Sequence, residues 1–139
     1  MIVLDTNVVS EPLRPQPDER VVTWLDAQDV QTLHLTTITL AELRYGVAAL
    51  PDGRRRSLLG RRLEEETLPL FDGRILPFDD AASAAYASMQ AEARTSGRSL
   101  GVMDGLIAAI CRARGLALAT RDVGDFAHAG IELIDPWHP

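Results

Sequence analysis

The chain has 139 residues, of which 46% are apolar and 24% are charged, so it is long enough for one compact domain and is not a disordered or fibrous protein. Its net charge is −6, and all 14 of its basic side chains are arginines. Coating of nucleic acid by the whole surface requires clustered cations, so this balance excludes that class and allows only a local basic patch. We expect residues 1–139 to form a single domain.

The cysteine content and the first residues indicate the cellular compartment of the protein. Cys111 is the sole cysteine and cannot form an internal disulfide, which is typical of a chain kept in a reducing cytoplasm. Residues 1–4 are apolar without a basic leader, and no apolar stretch approaches the length of a membrane helix. We therefore expect a cytoplasmic protein with no membrane association.

Apolar runs and helical patterns alternate along the chain. The apolar runs predict strands over residues 2–4, 34–36, 74–76, 116–119 and 131–134. Helical spacing predicts helices over residues 18–29, 38–50, 54–68, 79–95 and 102–114. Gly115 follows the last helix where a left-handed cap is expected. This alternation predicts an α/β fold with a mostly parallel central sheet flanked by helices on both faces.

Four acidic residues stand where a parallel sheet would gather them. Asp5 follows the first strand and Asp122 follows the strand at 116–119, which is the edge where open α/β sheets bind ligands. Glu42 and Asp104 lie near the starts of two predicted helices. Two charges about 4 Å apart repel by about 4 kcal/mol at an effective dielectric of about 20. The acids therefore predict a bound hard cation such as Mg²⁺ or Mn²⁺.

Singly, each acid has a simpler interpretation than metal binding. An acid beside a turn or in the first turns of a helix is usually a cap or a solvated side chain, which applies to Asp5, Glu42 and Asp104. Asp122 could form an ordinary ion pair with Arg121 or Arg44. Only the combination of the acids indicates a metal site.

Four short motifs contain these acids. They are Ile2-Val3-Leu4-Asp5-Thr6-Asn7, Thr39-Leu40-Ala41-Glu42-Leu43-Arg44-Tyr45-Gly46, Asp104-Gly105-Leu106-Ile107-Ala108-Ala109 and Thr120-Arg121-Asp122-Val123-Gly124-Asp125-Phe126. In this order and spacing they resemble the PIN-domain family, and within it the VapC group and its FitB-like members, over essentially the whole chain. The resemblance implies an endoribonuclease that uses Mg²⁺ or Mn²⁺, acting as the toxin of a toxin–antitoxin pair.

The resemblance also implies roles for the individual acids. Asp5, Glu42 and Asp104 match metal ligands of the family. Asp122 matches the fourth acidic position and is the preferred fourth ligand. Asp125 belongs to an Asp-Phe pair that more often supports the loop.

Residues around the acids receive expected roles as well. Asn7 and Thr120 match polar residues that orient the ligand carboxylates by hydrogen bonds. Gly105 stands where the family often has alanine, and because a glycine costs a helix up to about 1 kcal/mol we expect it to loosen the helix locally. Substrate phosphates need cations near the acidic edge, for which the candidates are Arg14, Arg44 and Arg121.

A further group of arginines is expected to lie on a solvent-exposed helix face and not to bind substrate. The arginines between residues 54 and 62 precede Glu64, Glu65 and Glu66 on one predicted helix. Arginines and glutamates at this spacing favour ion pairs with one another on a solvent-exposed face of the helix.

The expected chemistry is metal-assisted hydrolysis of a phosphodiester, in which the carboxylates hold one or two ions and the protein needs no nucleophile of its own. The main alternative is a non-catalytic PIN-like binding module whose acidic pocket docks a basic residue of a partner. The presence of all four acids argues against that alternative. A receiver-type phosphoacceptor domain would need a lysine on a late strand, and the chain contains no lysine.

The resemblance implies a cognate antitoxin, an RNA substrate and a homodimer as partners. The apolar face of the helix predicted at 54–68 and the loop after Pro12 are candidate places for the antitoxin and for a second copy. An antitoxin arginine that enters the acidic pocket would inhibit by replacing the cation. DNA would be contacted only through the antitoxin, which fits the net charge of −6.

Overall fold

Five strands form the central sheet in a computed structural model that describes residues 1–139. They are β1 (Ile2–Leu4), β2 (Leu33–Thr36), β3 (Ile75–Leu76), β4 (Ala117–Ala119) and β5 (Leu133–Ile134). The order in the sheet is β3-β2-β1-β4-β5, and every neighbouring pair is parallel. The predicted parallel sheet is confirmed, and its strand order reverses between β1 and β4.

Six α-helices join or follow these strands. They are α1 (Thr6–Ser10), α2 (Glu19–Asp26), α3 (Thr37–Ala48), α4 (Arg54–Arg61), α5 (Asp80–Ser96) and α6 (Val102–Arg114). Short 3-10 helices occur at Glu11–Leu13, Val30–Thr32 and Leu68–Phe71. None of the helices is both long and apolar enough to cross a membrane.

Successive residues of the central strand β1 enter two different hydrophobic cores. Val3 belongs to the core that contains Ile107 of α6, whereas Leu4 belongs to the core that contains Val8 of α1 and Leu43 of α3. Side chains alternate between the two faces of a strand, so each core covers one face of the sheet. The prediction of helices on both faces is confirmed.

The ends and the packing of α6 depend on two glycines. Gly115 closes the helix in the left-handed conformation, at φ 66°, as predicted. Gly105 is buried, and a Cβ added there would lie 2.9 Å from Nε2 of Gln90 and 3.1 Å from Cε2 of Tyr86 on α5. The helix α6 is continuous through Gly105, and the glycine lets α5 approach it closely, while the expected local loosening stays a prediction.

The helix predicted over residues 54–68 is divided into three conformations. The α-helical part ends at Arg61, residues Arg62–Thr67 form a π-helix, and Leu68–Phe71 form a 3-10 helix. Pro69 has no N–H and its ring obstructs a regular α-helical turn, so the predicted helix cannot continue through it. The change of winding places Leu63, Leu68 and Phe71 together in one core.

The helix α1 has no counterpart among the predicted helices. It has only five residues, which is too short to show a repeating apolar pattern. Asp5 caps it, since one carboxylate oxygen accepts a hydrogen bond of 2.8 Å from the backbone N–H of Thr6. The residue at the end of β1 therefore also begins the next helix.

Phe126 anchors the loop that follows β4, because its side chain is fully buried in the core beneath α6. We expect Phe126→Ala to lower the free energy of unfolding by about 3–5 kcal/mol, the usual effect of removing a buried aromatic ring. Urea unfolding followed by circular dichroism measures this loss. Tyr45→Ala is the control, since Tyr45 is 73% exposed and its removal should change stability by less than about 0.5 kcal/mol. Equal losses in the two variants would show that Phe126 does not anchor the loop.

Candidate active site

The four predicted acids lie at the carboxyl edge of the sheet. Asp5 ends β1, Asp122 follows β4, Glu42 is on the helix that directly follows β2, and Asp104 is in the first turn of α6. The strand order reverses between β1 and β4, which is the position where open α/β sheets form a ligand crevice. The topology thus brings together residues that are up to 117 positions apart in the sequence.

Asp5 is the most deeply placed of these acids, with 5% of the residue exposed. Oδ2 accepts a hydrogen bond of 2.7 Å from the buried hydroxyl of Thr120, and Oδ1 accepts the N–H of Thr6. The backbone N–H of Asp5 donates to the carbonyl of Ala119, which joins the ends of β1 and β4. Backbone and carboxylate are therefore both held in place.

Glu42 is positioned by a residue to which the sequence assigned no role. The hydroxyl of Thr6 donates a hydrogen bond of 2.8 Å to Oε1 of Glu42. The two residues are 36 positions apart, on α1 and α3. The only signal in the sequence is the polar character of Thr6 directly after Asp5, and that signal does not reveal its partner.

Asp122 is held from two sides. Nδ2 of Asn7 donates to its Oδ2 at 3.1 Å, and its own backbone N–H donates to the hydroxyl of Thr120 at 3.0 Å. Asn7 also accepts the N–H of Arg121 at 3.3 Å. Asn7 and Thr120 therefore make the kind of contacts that an orienting role requires.

Burial and repulsion raise the pKa of two of the acids. The pKa of Asp104 is raised to about 6, first by burial and then by the negative charges of Asp5, Glu42, Asp125 and Asp122. The pKa of Asp5 is also raised, chiefly by burial, although the hydrogen bonds from Thr120 and Thr6 oppose the shift. The acids are thus close enough to disfavour one another's charge.

No basic side chain neutralises this group. None of the ion pairs of the molecule includes Asp5, Glu42, Asp104, Asp122 or Asp125. Carboxylate oxygens are among the ligands that Mg²⁺ and Mn²⁺ prefer, so a group of acids without a paired cation suits either ion. As the side chains stand, no three of them surround one point closely enough to hold an ion, so ligation requires rotation of the less buried carboxylates.

The arginines predicted to contact substrate have other contacts. Arg44 forms a two-pronged ion pair with Glu64, with Nε 2.8 Å from Oε1 and Nη2 3.1 Å from Oε2. Arg14 pairs with the buried Glu11 at 3.3 Å. The guanidinium of Arg121 lies 4.6 Å from the centre of the Trp137 ring and forms no ion pair with a carboxylate.

Two cavities open beside the acids. One, of about 500 Å³, is lined by Asp104 and Asp125 together with Arg98, Ser99 and His128. The other, of about 520 Å³, extends from Thr6 and Glu42 along the apolar side chains Leu43, Val47, Leu59 and Leu63. The acidic edge can therefore be approached from two sides that differ in chemistry.

Comparison with known proteins identifies relatives along the whole chain. A family model described as PIN domain matches residues 2–132. A protein named VapC ribonuclease Y4jK from Sinorhizobium fredii is 52% identical over 139 residues, which cover 100% of this chain and 99% of the relative. A protein named Toxin FitB from Neisseria gonorrhoeae is 51% identical over 138 residues, with 99% of both chains covered.

Solved structures agree with these relatives. FitAcB from Neisseria gonorrhoeae matches with a TM-score of 0.96 and 51% identity over 100% of both chains. FitAB bound to an IR36 DNA fragment matches with a TM-score of 0.96 and 49% identity over 100% of this chain and 97% of the other. VapBC-5 from Mycobacterium tuberculosis, a member of the VapBC family of toxin–antitoxin systems, matches with a TM-score of 0.67 and 31% identity over 95% of both.

The raised pKa of Asp104 predicts a stability change with pH. The folded protein holds this proton more tightly than the unfolded chain, so its contribution to stability is lost as pH rises from about 4 to about 6. At pH 7.5 in EDTA, Asp104→Asn should therefore melt at a higher temperature than the parent. With Mg²⁺ or Mn²⁺ added, the parent should gain more thermal stability than the variant, because a bound cation compensates the charge.

Differential scanning calorimetry at pH 4 and pH 7.5 measures this effect. Asp72→Asn is the control, because Asp72 is exposed and precedes β3, which places it at the opposite, amino edge of the parallel sheet, and it should leave the melting temperature nearly unchanged under every condition. An Asp104→Asn variant that melts below the parent in EDTA at pH 7.5 would show that Asp104 is not strained by its acidic neighbours.

Proposed function

The chain belongs to the PIN-domain family, and we propose that it is a Mg²⁺- or Mn²⁺-dependent endoribonuclease that acts as the toxin of a toxin–antitoxin system. The whole chain, residues 1–139, would act as one catalytic domain. The relatives named ribonuclease and toxin support this proposal over nearly the full length of both chains.

The observation that carries the proposal is the set of acids without a paired cation at the carboxyl edge of the sheet. Like charges near one another are unfavourable unless a cation joins them, and burial together with the charges of the neighbouring acids raises the pKa of Asp104 to about 6. A structural role would be served better by an acid paired with an arginine, as Glu64 and Glu92 are elsewhere in this chain. The acids therefore fit a metal-binding role.

The proposed metal ligands are Asp5, Glu42, Asp104 and Asp122. When bound there, a divalent ion lowers the pKa of an attacking water and stabilises the oxygen that leaves the phosphodiester. Asp5 contributes a fixed position, because burial and two hydrogen bonds restrict its carboxylate. The other acids complete the set by moving towards it.

The neighbouring side chains orient these carboxylates. Thr6 holds Glu42 and Asn7 holds Asp122, and in both contacts one carboxylate oxygen accepts the hydrogen bond while the other remains available. Thr120 contacts both Asp5 and the backbone of Asp122. Such supporting contacts usually change metal affinity or activity by about 10–100-fold when they are removed.

We propose a cognate antitoxin as the protein partner, and the groove beside Glu42 as its place of binding. The groove is lined by Leu43, Val47, Leu59 and Leu63 and ends at Glu42, so an apolar helix that carries an arginine would fit its chemistry. The solved FitAB and VapBC-5 structures support such a partner. DNA contact would come through the antitoxin, in agreement with the net charge of −6.

A homodimer and a cytoplasmic location belong to the same proposal. Both follow from the resemblance to the toxin relatives, and the single buried cysteine, Cys111, agrees with a reducing compartment. Analytical ultracentrifugation of the isolated chain tests the dimer, and a single species at the mass of one chain would contradict it.

We expect the purified chain to cut single-stranded RNA in Mg²⁺ or Mn²⁺ and to lose this activity in EDTA. Asp5→Asn and Asp104→Asn should each lower the cleavage rate at least about 100-fold, because each removes a negative ligand of the ion. The assay follows a mixed RNA pool on denaturing gels with protein free of any partner. Asp72→Asn serves as the charge-matched control and should retain the parent rate.

The same assay separates the proposed nuclease from the binding-module alternative. A folded, partner-free parent that cuts nothing in either metal would overturn the nuclease proposal and favour a pocket that only docks a basic side chain. Activity that survives in EDTA, or in both substituted proteins, would overturn the assignment of the acids.

Thr120 should matter through the position of Asp5 and the loop that carries Asp122. We expect Thr120→Val to raise the metal concentration needed for half-maximal cleavage about 10-fold, because it removes the hydroxyl that contacts both. Thr120→Ser retains the hydroxyl and should restore most of the activity. Equal effects of the valine and serine variants would show that the hydroxyl has no positioning role.

A further inference from the structure

The cavity beside Asp104 combines charges of both signs without an ion pair between them. Asp104 and Asp125 line it together with Arg98, Ser99 and His128, and its volume is about 500 Å³. We call it the Arg98 cavity. It lies on the α5 and α6 side of the acidic edge, whereas the proposed antitoxin groove lies on the side of Glu42.

Arg98 has no carboxylate within ion-pair distance, unlike Arg44 and Arg112, which pair with Glu64 and Glu92. Its one side-chain hydrogen bond is with His128, where Nη1 of Arg98 lies 3.2 Å from Nδ1 of the imidazole. A guanidinium can only donate, so the ring accepts at Nδ1 and the neutral ring carries its proton on Nε2. The contact orients Arg98 without neutralising it.

The unpaired guanidinium of Arg98 suits a phosphodiester of a bound ligand, because no carboxylate of the protein occupies it. A guanidinium presents a planar fork of donors that matches two phosphate oxygens, and Ser99, which has a hydroxyl, lines the same cavity. The cavity adjoins Asp104, so a strand whose scissile phosphate lies at the acids would extend into it. Arg98 would then contact one phosphate of the RNA strand, while the acids face the neighbouring phosphate that is cut.

We propose that Arg98, oriented by His128 and assisted by Ser99, binds an RNA phosphate that neighbours the one cut at the acidic edge. This inference rests on the proposed ribonuclease function and adds a substrate-binding residue that sequence reasoning missed. Arg98 precedes α6 in a segment without a helical or strand pattern, and only the fold places it opposite His128, 30 positions later.

The test compares Arg98→Gln with Arg94→Gln in otherwise unchanged protein. Both remove one positive charge from an exposed position close in sequence, but Arg94 lies outside the cavity. We expect Arg98→Gln to raise KM about 10-fold or more with kcat changed only a few-fold, and Arg94→Gln to match the parent. Loss of one phosphate contact should also reduce the salt slope of single-stranded RNA affinity by about 0.7.

Arg98→Lys distinguishes the charge from the geometry of the guanidinium. It should keep the parent salt slope but bind RNA more weakly than the parent, because a lysine retains the charge without the planar fork. Each variant should melt at a temperature close to that of the parent. This control shows that α5 and α6 remain packed.

Fluorescence anisotropy of a labelled single-stranded RNA separates this inference from the function on which it rests. A parent that binds the RNA but does not cut it would overturn the nuclease, while weaker binding by Arg98→Gln would still support the phosphate site. Equal RNA affinity and equal salt slope for the parent and Arg98→Gln would overturn the phosphate site, even if both proteins cut. A parent that neither binds nor cuts would overturn both.

Discussion

The hydrogen bond from Thr120 to Asp5 is the contact on which the acidic edge depends. A carboxylate that is only 5% exposed is stable in its charged form only if donors replace the lost water, and Thr120 and Thr6 supply two of them. The same Thr120 hydroxyl accepts the N–H of Asp122, so one buried side chain fixes both the central acid and the start of the next loop.

The fold supplies stability on both faces of the sheet and concentrates the unfavourable charges at one edge. Val3 and Leu4 enter separate cores, so the short strand β1 is buried on both sides. Asp5 and Asp122 follow the buried strands β1 and β4, and Glu42 and Asp104 lie on the helices α3 and α6 that pack on the sheet. Rigid placement matters because repelling carboxylates on mobile loops would separate, whereas here burial and repulsion leave Asp104 with a pKa of about 6.

Much of the fold and the position of the acids could be predicted from the sequence, because strands buried on both faces and the Gly115 cap are local signals. The short α1 could not, since five residues are too few to show a repeating apolar pattern, and neither could the π-helix at Arg62–Thr67, which no local pattern indicates. Contacts between residues far apart in the sequence could not be predicted either. The hydrogen bonds between Thr6 and Glu42 and between Arg98 and His128 join residues 36 and 30 positions apart, and no pattern in the sequence of these segments indicates the pairing.

The two sides of the acidic edge suggest how one set of acids can serve both substrate and inhibitor. A polar cavity with an unpaired arginine suits the repeated charges of RNA, and an apolar groove that ends at Glu42 suits a protein helix. An arginine entering from the groove would compete with the metal for the carboxylates while leaving Arg98 uncovered. Inhibition of this kind would need no change of fold, because the arginine would take the place of the proposed cation and leave the rest of the proposed substrate surface intact.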